Sequence, residues 1–233
     1  MALREAGFCR EIAGVSNDPA EREKALALQV VDQVFADPAE AVAGAELVVV
    51  AVPLGAFGAV FDRIAGAVGE QAVITDVGSA KGSVVEQARL LLGQALPRFV
   101  PGHPIAGTER NGVEAAFAGL YRGHRVILTP LPETDPAALT LVRAMWRATG
   151  AEPEEMAVDY HDRILAATSH LPHMLAYSLV DCLAQMEEAK DLFRLAAGGF
   201  EDFTRIASSS PEMWRDIVFA NREALLGALH RYR

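Results

Sequence analysis

Through the first two thirds of the chain, short β-branched runs alternate with stretches whose apolar residues recur every three or four positions. The first pattern predicts strands and the second amphipathic helices. EIAGV (11–15), LVVVAV (47–52), AVITDV (72–77), RFVPG (98–102) and RVILT (125–129) read as strands, with a last short one near EPEEMAV. PAEREKALAL, GAFGAVFDRIAGAV, KGSVVEQARLLLGQAL and PAALTLVRAMWRATG read as the helices between them, several with Gly or Pro near their ends. Such alternation predicts an α/β domain with a parallel sheet, and LVVVAV, which has no polar alternation, predicts a strand covered on both faces. From Asp159 onward the pattern becomes one helical field, broken only at GGF and SSSP. The expected organisation is an α/β domain over 1–158 and an all-helical domain over 159–233. Within the latter, HLPHMLAYSLVDCLAQM is apolar around most of its circumference, so it requires burial inside a bundle or against a partner subunit.

Composition and charge act mainly by exclusion. Of the 233 residues, 51% are hydrophobic and 22% charged, which is a globular composition and rules out disorder. A formal net charge of -10 excludes a nucleic-acid partner, because binding a phosphate backbone needs a dense face of Lys and Arg. The longest apolar run, LVVVAVPLGAF, falls short of the roughly 20 residues of a membrane span, and no basic segment precedes an apolar one at the start. A soluble, cytoplasmic protein is expected, with no membrane partner. Cys9 and Cys182 have no CxxC or His-rich surroundings, so neither a disulfide framework nor a metal site is expected.

In open α/β sheets ligands bind beyond the carboxyl ends of the strands. Three such places are polar or turn-like here: Pro53-Leu54-Gly55, Asp76 to Lys81, and Gly102 to Arg110. The last holds His103 between Gly102 and Pro104, which restrict the backbone around one imidazole. Read from the residues alone, His103 is equally a placed base or a strand-end histidine satisfied by backbone.

GHPIAGTERNG, TDVGSAKG, SHLPH and DFTRIASSSPEMW, in that family's order and spacing across nearly the whole chain, resemble the prephenate dehydrogenases, also called cyclohexadienyl or arogenate dehydrogenases. The resemblance implies an oxidative decarboxylation in tyrosine biosynthesis. A hydride passes from the ring carbon bearing the 4-hydroxyl to NAD(P), and the ring carboxylate of prephenate or arogenate leaves as CO2. By this match His103 is the catalytic base, and Ser79 hydrogen-bonds the same hydroxyl; an N-cap ahead of Lys81 is the alternative for Ser79. Arg205 grips a substrate carboxylate. Asp202 and Glu109 form an ionic network with it, or else Asp202 only pairs with Arg205 along one helix. Ser169 and His173 touch substrate, while His170 packs or caps. Trp214 lines the pocket or simply fills core. The match also implies an active site in the cleft between the domains and a homodimer through the helical domain.

A Rossmann-type domain normally opens with a strand, GxGxxG and a helix whose N-terminus receives the pyrophosphate. The sequence contains no GxGxxG, and MALREAGF reads as the tail of that first helix, with EIAGV as the second strand. The first strand and glycine turn, on the order of fifteen residues, are therefore expected to be missing, and Met1 to be an internal start or an expression boundary. Poor dinucleotide binding by these residues is the expected consequence. At the close of the second strand Ser16, Asn17 and Asp18 face the adenosine ribose; NAD is favoured slightly through Asp18, with NADP left open. Val52, Pro53 and Ser79 are expected to flank the nicotinamide. Two rivals remain at this point: another Rossmann-plus-helical dehydrogenase, of β-hydroxyacid or imine reductase type, and an inactive fragment or binding module. The first normally carries a lysine or aspartate where this chain has SHLPH.

Overall fold

Asp18-Pro19, Asp37-Pro38, Asp135-Pro136 and Ser210-Pro211 each open a helix in the computed structural model, which describes residues 1–107 and 112–233. The side-chain oxygen accepts a backbone N–H two or three residues on, at 2.9, 2.9, 2.8 and 3.3 Å, and proline in the first turn brings no N–H that would be left over. Two units result, Met1–His161 and Asp162–Arg233.

The first unit runs α1 (Ala2–Glu5), β1 (Ala13–Val15), α2 (Pro19–Ala27), β2 (Gln33–Phe35), α3 (Pro38–Val42), β3 (Leu47–Val50), α4 (Phe57–Ala65), β4 (Val73–Asp76), α5 (Lys81–Leu91), β5 (Phe99–Val100), β6 (Gly102–Pro104), β7 (Arg125–Leu128), α6 (Pro136–Ala148) and β8 (Glu152–Glu155). Strands β1 and β2 pair in parallel, as do β3, β4 and β5 in that order. A third group, β6-β7-β8, joins an antiparallel pair to a parallel one. This is the expected α/β, Rossmann-like layout, with three differences. Strand β2 comes from DQVF, which the hydrophobic pattern did not single out. RFVPG splits in two: Phe99 and Val100 stay in the parallel sheet, then the chain leaves it at Pro101, which has no N–H to donate. Strand β3 is not covered on both faces. Val50 is 3% exposed beneath α4 and α5, but Val49, on the other face, is 41% exposed. Among the described residues β3 pairs only with β4, and the layer that partly covers Leu47 stops short of Val49.

One core packs Phe57, Phe61 and Phe99 edge to face, at 5.6 and 5.5 Å between ring centroids, over Val50, Ile74 and Val84. Burying each such ring contributes about 1.5 to 3 kcal/mol. A second core places Trp146, Met145 and Val142 of α6 against Val100, Val126 and Leu128.

Helix α7 (Val158–Leu165) carries the division between the units. The second unit continues through a π-helical turn at Ala166–His170, α8 (Leu171–Ala184), α9 (Ala189–Arg194), α10 (Gly198–Thr204), a 3-10 turn at Arg205–Ser208, α11 (Pro211–Ala220) and α12 (Arg222–Tyr232). It is all-helical, as expected, although it divides further than GGF and SSSP suggest. Its buried centre is small, built on Ala166, Leu171, Leu225 and Ala228. Among the described residues no helix is long and apolar enough to cross a membrane.

Candidate active site

Strand β4 ends on Asp76, a carboxylate with no solvent exposure, and five residues later α5 begins with Lys81, equally buried. The Lys81 ammonium donates to Asp76 Oδ2 and, at 2.6 Å, to the Gly102 carbonyl. Asp76 also accepts the N–H of Gly78 at 2.7 Å and that of Gly102 at 3.0 Å. Two buried charges are tolerable only when paired and fully hydrogen-bonded, and this pair is both. Both glycines are required by close approach: a Cβ on either would lie 3.0 Å from an Asp76 oxygen. The pair therefore ties the turn that carries Ser79 to the strand that carries His103.

His103 is half-buried in β6 and sits opposite Ile127 of β7. Its Nδ1 lies 2.9 Å from Nε2 of His161, a fully buried residue of α7. Sequence reasoning passed over His161, and also over Asp76 and Lys81 although it quoted their motif. Ser79 is half-buried and does not cap α5, whose N-cap is Ala80 with no side-chain bond. The capping alternative is thereby removed.

The cofactor candidates lie at strand ends. At the end of β1 the Ser16 hydroxyl accepts the Asp18 N–H at 3.2 Å, and one Asp18 oxygen is spent on capping α2. Asn17 is exposed beside them. The same end carries Arg22, whose guanidinium donates to the Ser16 carbonyl at 2.5 Å, a cation overlooked when only residues 16 to 18 are weighed. A hydroxyl, an amide and a carboxylate fit an adenosine ribose, and the half-buried Val52 with exposed Pro53 just past β3 fits a flat apolar ring face.

In the helical unit the π-helical turn, a widened turn frequent at functional sites, contains Ser169 and His170. The Ser169 carbonyl lies 2.9 Å from His173 Nδ1, and since a carbonyl only accepts, that ring nitrogen carries the hydrogen. Desolvation, aided by the charge of Arg205 and opposed by the Ser169 carbonyl, holds the His173 pKa below the usual histidine value. Its ring stacks on Trp214 with centroids 3.6 Å apart and planes 19° from parallel. Trp214 is 7% exposed, and its buried Nε1–H has no acceptor among the described residues. His170 packs, with Asn221 Nδ2 at 3.1 Å from its Nδ1. Arg205 is exposed at the start of its 3-10 turn, and Asp202 is exposed in α10. Helix α10 closes at Thr204, and Arg205 opens the 3-10 turn that follows it. Glu109 lies outside the described residues.

Residues 1–155 match the nucleotide-binding domain of prephenate dehydrogenase and residues 157–233 match its dimerization domain. The chain belongs to the prephenate dehydrogenase family. It is 38% identical over 231 residues to the cyclohexadienyl dehydrogenase of Zymomonas mobilis, a match covering 97% of this chain and 78% of that protein. Identity to the prephenate dehydrogenase of Bacillus subtilis is 37% over 231 residues, covering 97% of this chain and 61% of that one. The crystal structure of prephenate dehydrogenase from A. aeolicus in complex with hydroxyphenyl propionate and NAD+ matches with a TM-score of 0.92 and 39% identity, over 99% of this chain and 80% of that one. Neither a β-hydroxyacid or imine reductase nor an inactive fragment is favoured by these matches. The Asp76 to Lys81 turn and the Gly102-His103-Pro104 strand fall in the part matching the family's nucleotide-binding domain, and the His173–Trp214 stack falls in the part matching its dimerization domain.

Proposed function

We propose that this chain is an NAD-dependent oxidoreductase of the prephenate dehydrogenase type, converting prephenate or arogenate by oxidative decarboxylation in tyrosine biosynthesis. The observation that carries the reading is His103, an imidazole held on a strand anchored by a buried ion pair and contacted at Nδ1 by a second imidazole. His103 takes the proton of the substrate 4-hydroxyl, and Ser79 donates a hydrogen bond to the same oxygen. NAD, when bound, supplies the hydride acceptor. Ser16, Asn17 and Asp18 hold its adenosine ribose, and Val52, Pro53 and Ser79 border its nicotinamide; Arg22 is the group that the 2′-phosphate of NADP would meet. In the helical unit Arg205 holds a substrate carboxylate through its planar fork. Ser169, His173 and the Trp214 Nε1–H add polar contacts, and Asp202 with Glu109 tunes the arginine. The decisive experiment follows NADH or NADPH formation with prephenate and with arogenate, each against saturating NAD and NADP; no turnover with any pair at cofactor saturation overturns the reading.

Arg205→Ala is expected to raise the substrate KM about 10- to 100-fold, because a hydrogen bond to a charged group is worth about 1.5 to 3 kcal/mol. The KM for NAD should hold, and Arg205→Lys should restore little. Parallel movement of both constants would mean that Arg205 supports the fold.

The helical unit leaves large apolar side chains open, among them Leu195 and Phe219, each 69% exposed, as well as Met186 and Phe203. Exposure on this scale in so small a unit favours a homodimer through 159–233, and the matched dimerization domain supports it. Sedimentation should report a dimer at micromolar concentration; a stable monomer would contradict it. A biosynthetic NAD enzyme with two free cysteines, Cys9 and Cys182, belongs in the cytoplasm.

A further inference from the structure

His161 stands beside the candidate base, and the mechanism above assigns it no task. Its ring is fully buried, its Nε2 is 2.9 Å from His103 Nδ1, and the two rings meet edge to face, 5.1 Å between centroids and 69° between planes. A single hydrogen lies between two ring nitrogens at that separation, which leaves two arrangements. In one, His161 donates and His103 Nδ1 accepts; neutral His103 then carries its hydrogen on Nε2 and has no lone pair there for a hydroxyl proton. In the other, His103 donates from Nδ1, its Nε2 keeps a lone pair, and His161 carries its own hydrogen on Nδ1.

We propose that His161 is a positioning residue that accepts the His103 Nδ1–H and so fixes the tautomer and ring plane in which His103 works as a base at Nε2. The inference rests on the proposed dehydrogenase reading, since only a base is served by this tautomer. In the step itself the substrate O–H bond breaks and the proton forms a bond to His103 Nε2. The Nδ1–H stays on His103, and its bond to His161 strengthens as the imidazolium develops. No proton passes to His161. A base oriented by a third group through its far nitrogen is a general device of histidine catalysis. Here the orienting group is an imidazole lone pair in place of a carboxylate.

The test combines a structural readout with a kinetic one. Histidine side-chain 15N NMR of the free chain at neutral pH should show His103 with its hydrogen on Nδ1, and His161→Phe should shift it towards the Nε2–H form that an unconstrained imidazole prefers. His161→Phe should lower kcat roughly 10- to 100-fold with both KM values nearly unchanged, the range seen when the hydrogen-bond partner that orients a metal-binding histidine is removed. His161→Gln, whose side-chain carbonyl accepts the same hydrogen, should recover most of the rate and the Nδ1–H tautomer. Finding His103 as the Nε2–H tautomer in the parent chain overturns the inference. So does a glutamine variant as slow as the phenylalanine one, which would reduce His161 to packing. The NMR result decides the inference even where no turnover is measured, whereas absence of turnover with the Nδ1–H tautomer in place counts against the dehydrogenase reading alone.

Discussion

His103→Asn is expected to lower turnover about 10²- to 10⁴-fold while substrate still binds, because an amide fills the same space and hydrogen-bonds but does not accept a proton. The backbone at this position is set independently of the side chain. Gly102 is held on both its N–H and its carbonyl by Asp76 and Lys81, and Gly102, His103 and Pro104 pair in register with Leu128, Ile127 and Val126. The substitution should therefore leave the strand in place and isolate the proton transfer. Steady-state kinetics at neutral pH, with substrate binding measured separately by calorimetry, provides the check. Turnover within severalfold of the parent would remove His103 from the chemistry.

Lys81→Met is expected to destabilise the α/β unit by about 3 to 5 kcal/mol, the cost of leaving a buried charge without its partner. Asp76 would keep the Gly78 and Gly102 N–H groups and lose its only cationic donor among the described residues. For a unit of this size each kcal/mol moves the melting midpoint by about 2 to 4 °C, so a fall of roughly 6 to 20 °C is expected. Adding Asp76→Asn should return part of the loss, since it removes the unpaired buried charge, although its single amide oxygen accepts from only one of the Gly78 and Gly102 N–H groups that the two carboxylate oxygens serve. Calorimetric melting of the two variants tests this, and a fall of less than about 1 kcal/mol, as for solvated ion pairs, would refute it.

What the sequence by itself determined follows from forces that act over a few residues. Two of the predicted helices, at Pro19 and Pro136, start on an Asp-Pro pair, whose cap oxygen and the N–H it accepts lie within one turn. The β-branched runs marked strands, and the change of period near Asp159 separated a helical region from an α/β one. The four motifs, taken together, were enough for the resemblance that singled out His103, Ser79, Arg205, His173 and Trp214. What only the tertiary structure decided depends on residues far apart in the chain. His161 stands 58 positions from His103 in a helix with no motif of its own, so nothing local marks it as the partner of the base. Lys81 reaches 21 residues ahead to the Gly102 carbonyl, and its burial follows from how β4, α5 and β6 come together. The exposure of Val49 follows from strand neighbours that its own apolar run does not encode. The widened turn at Ala166–His170 and the 3-10 turn that begins at Arg205 arise where helix geometry departs from its regular period. Periodicity reads regular backbone, and the contacts that equip the candidate site form where chain path and packing override that regularity.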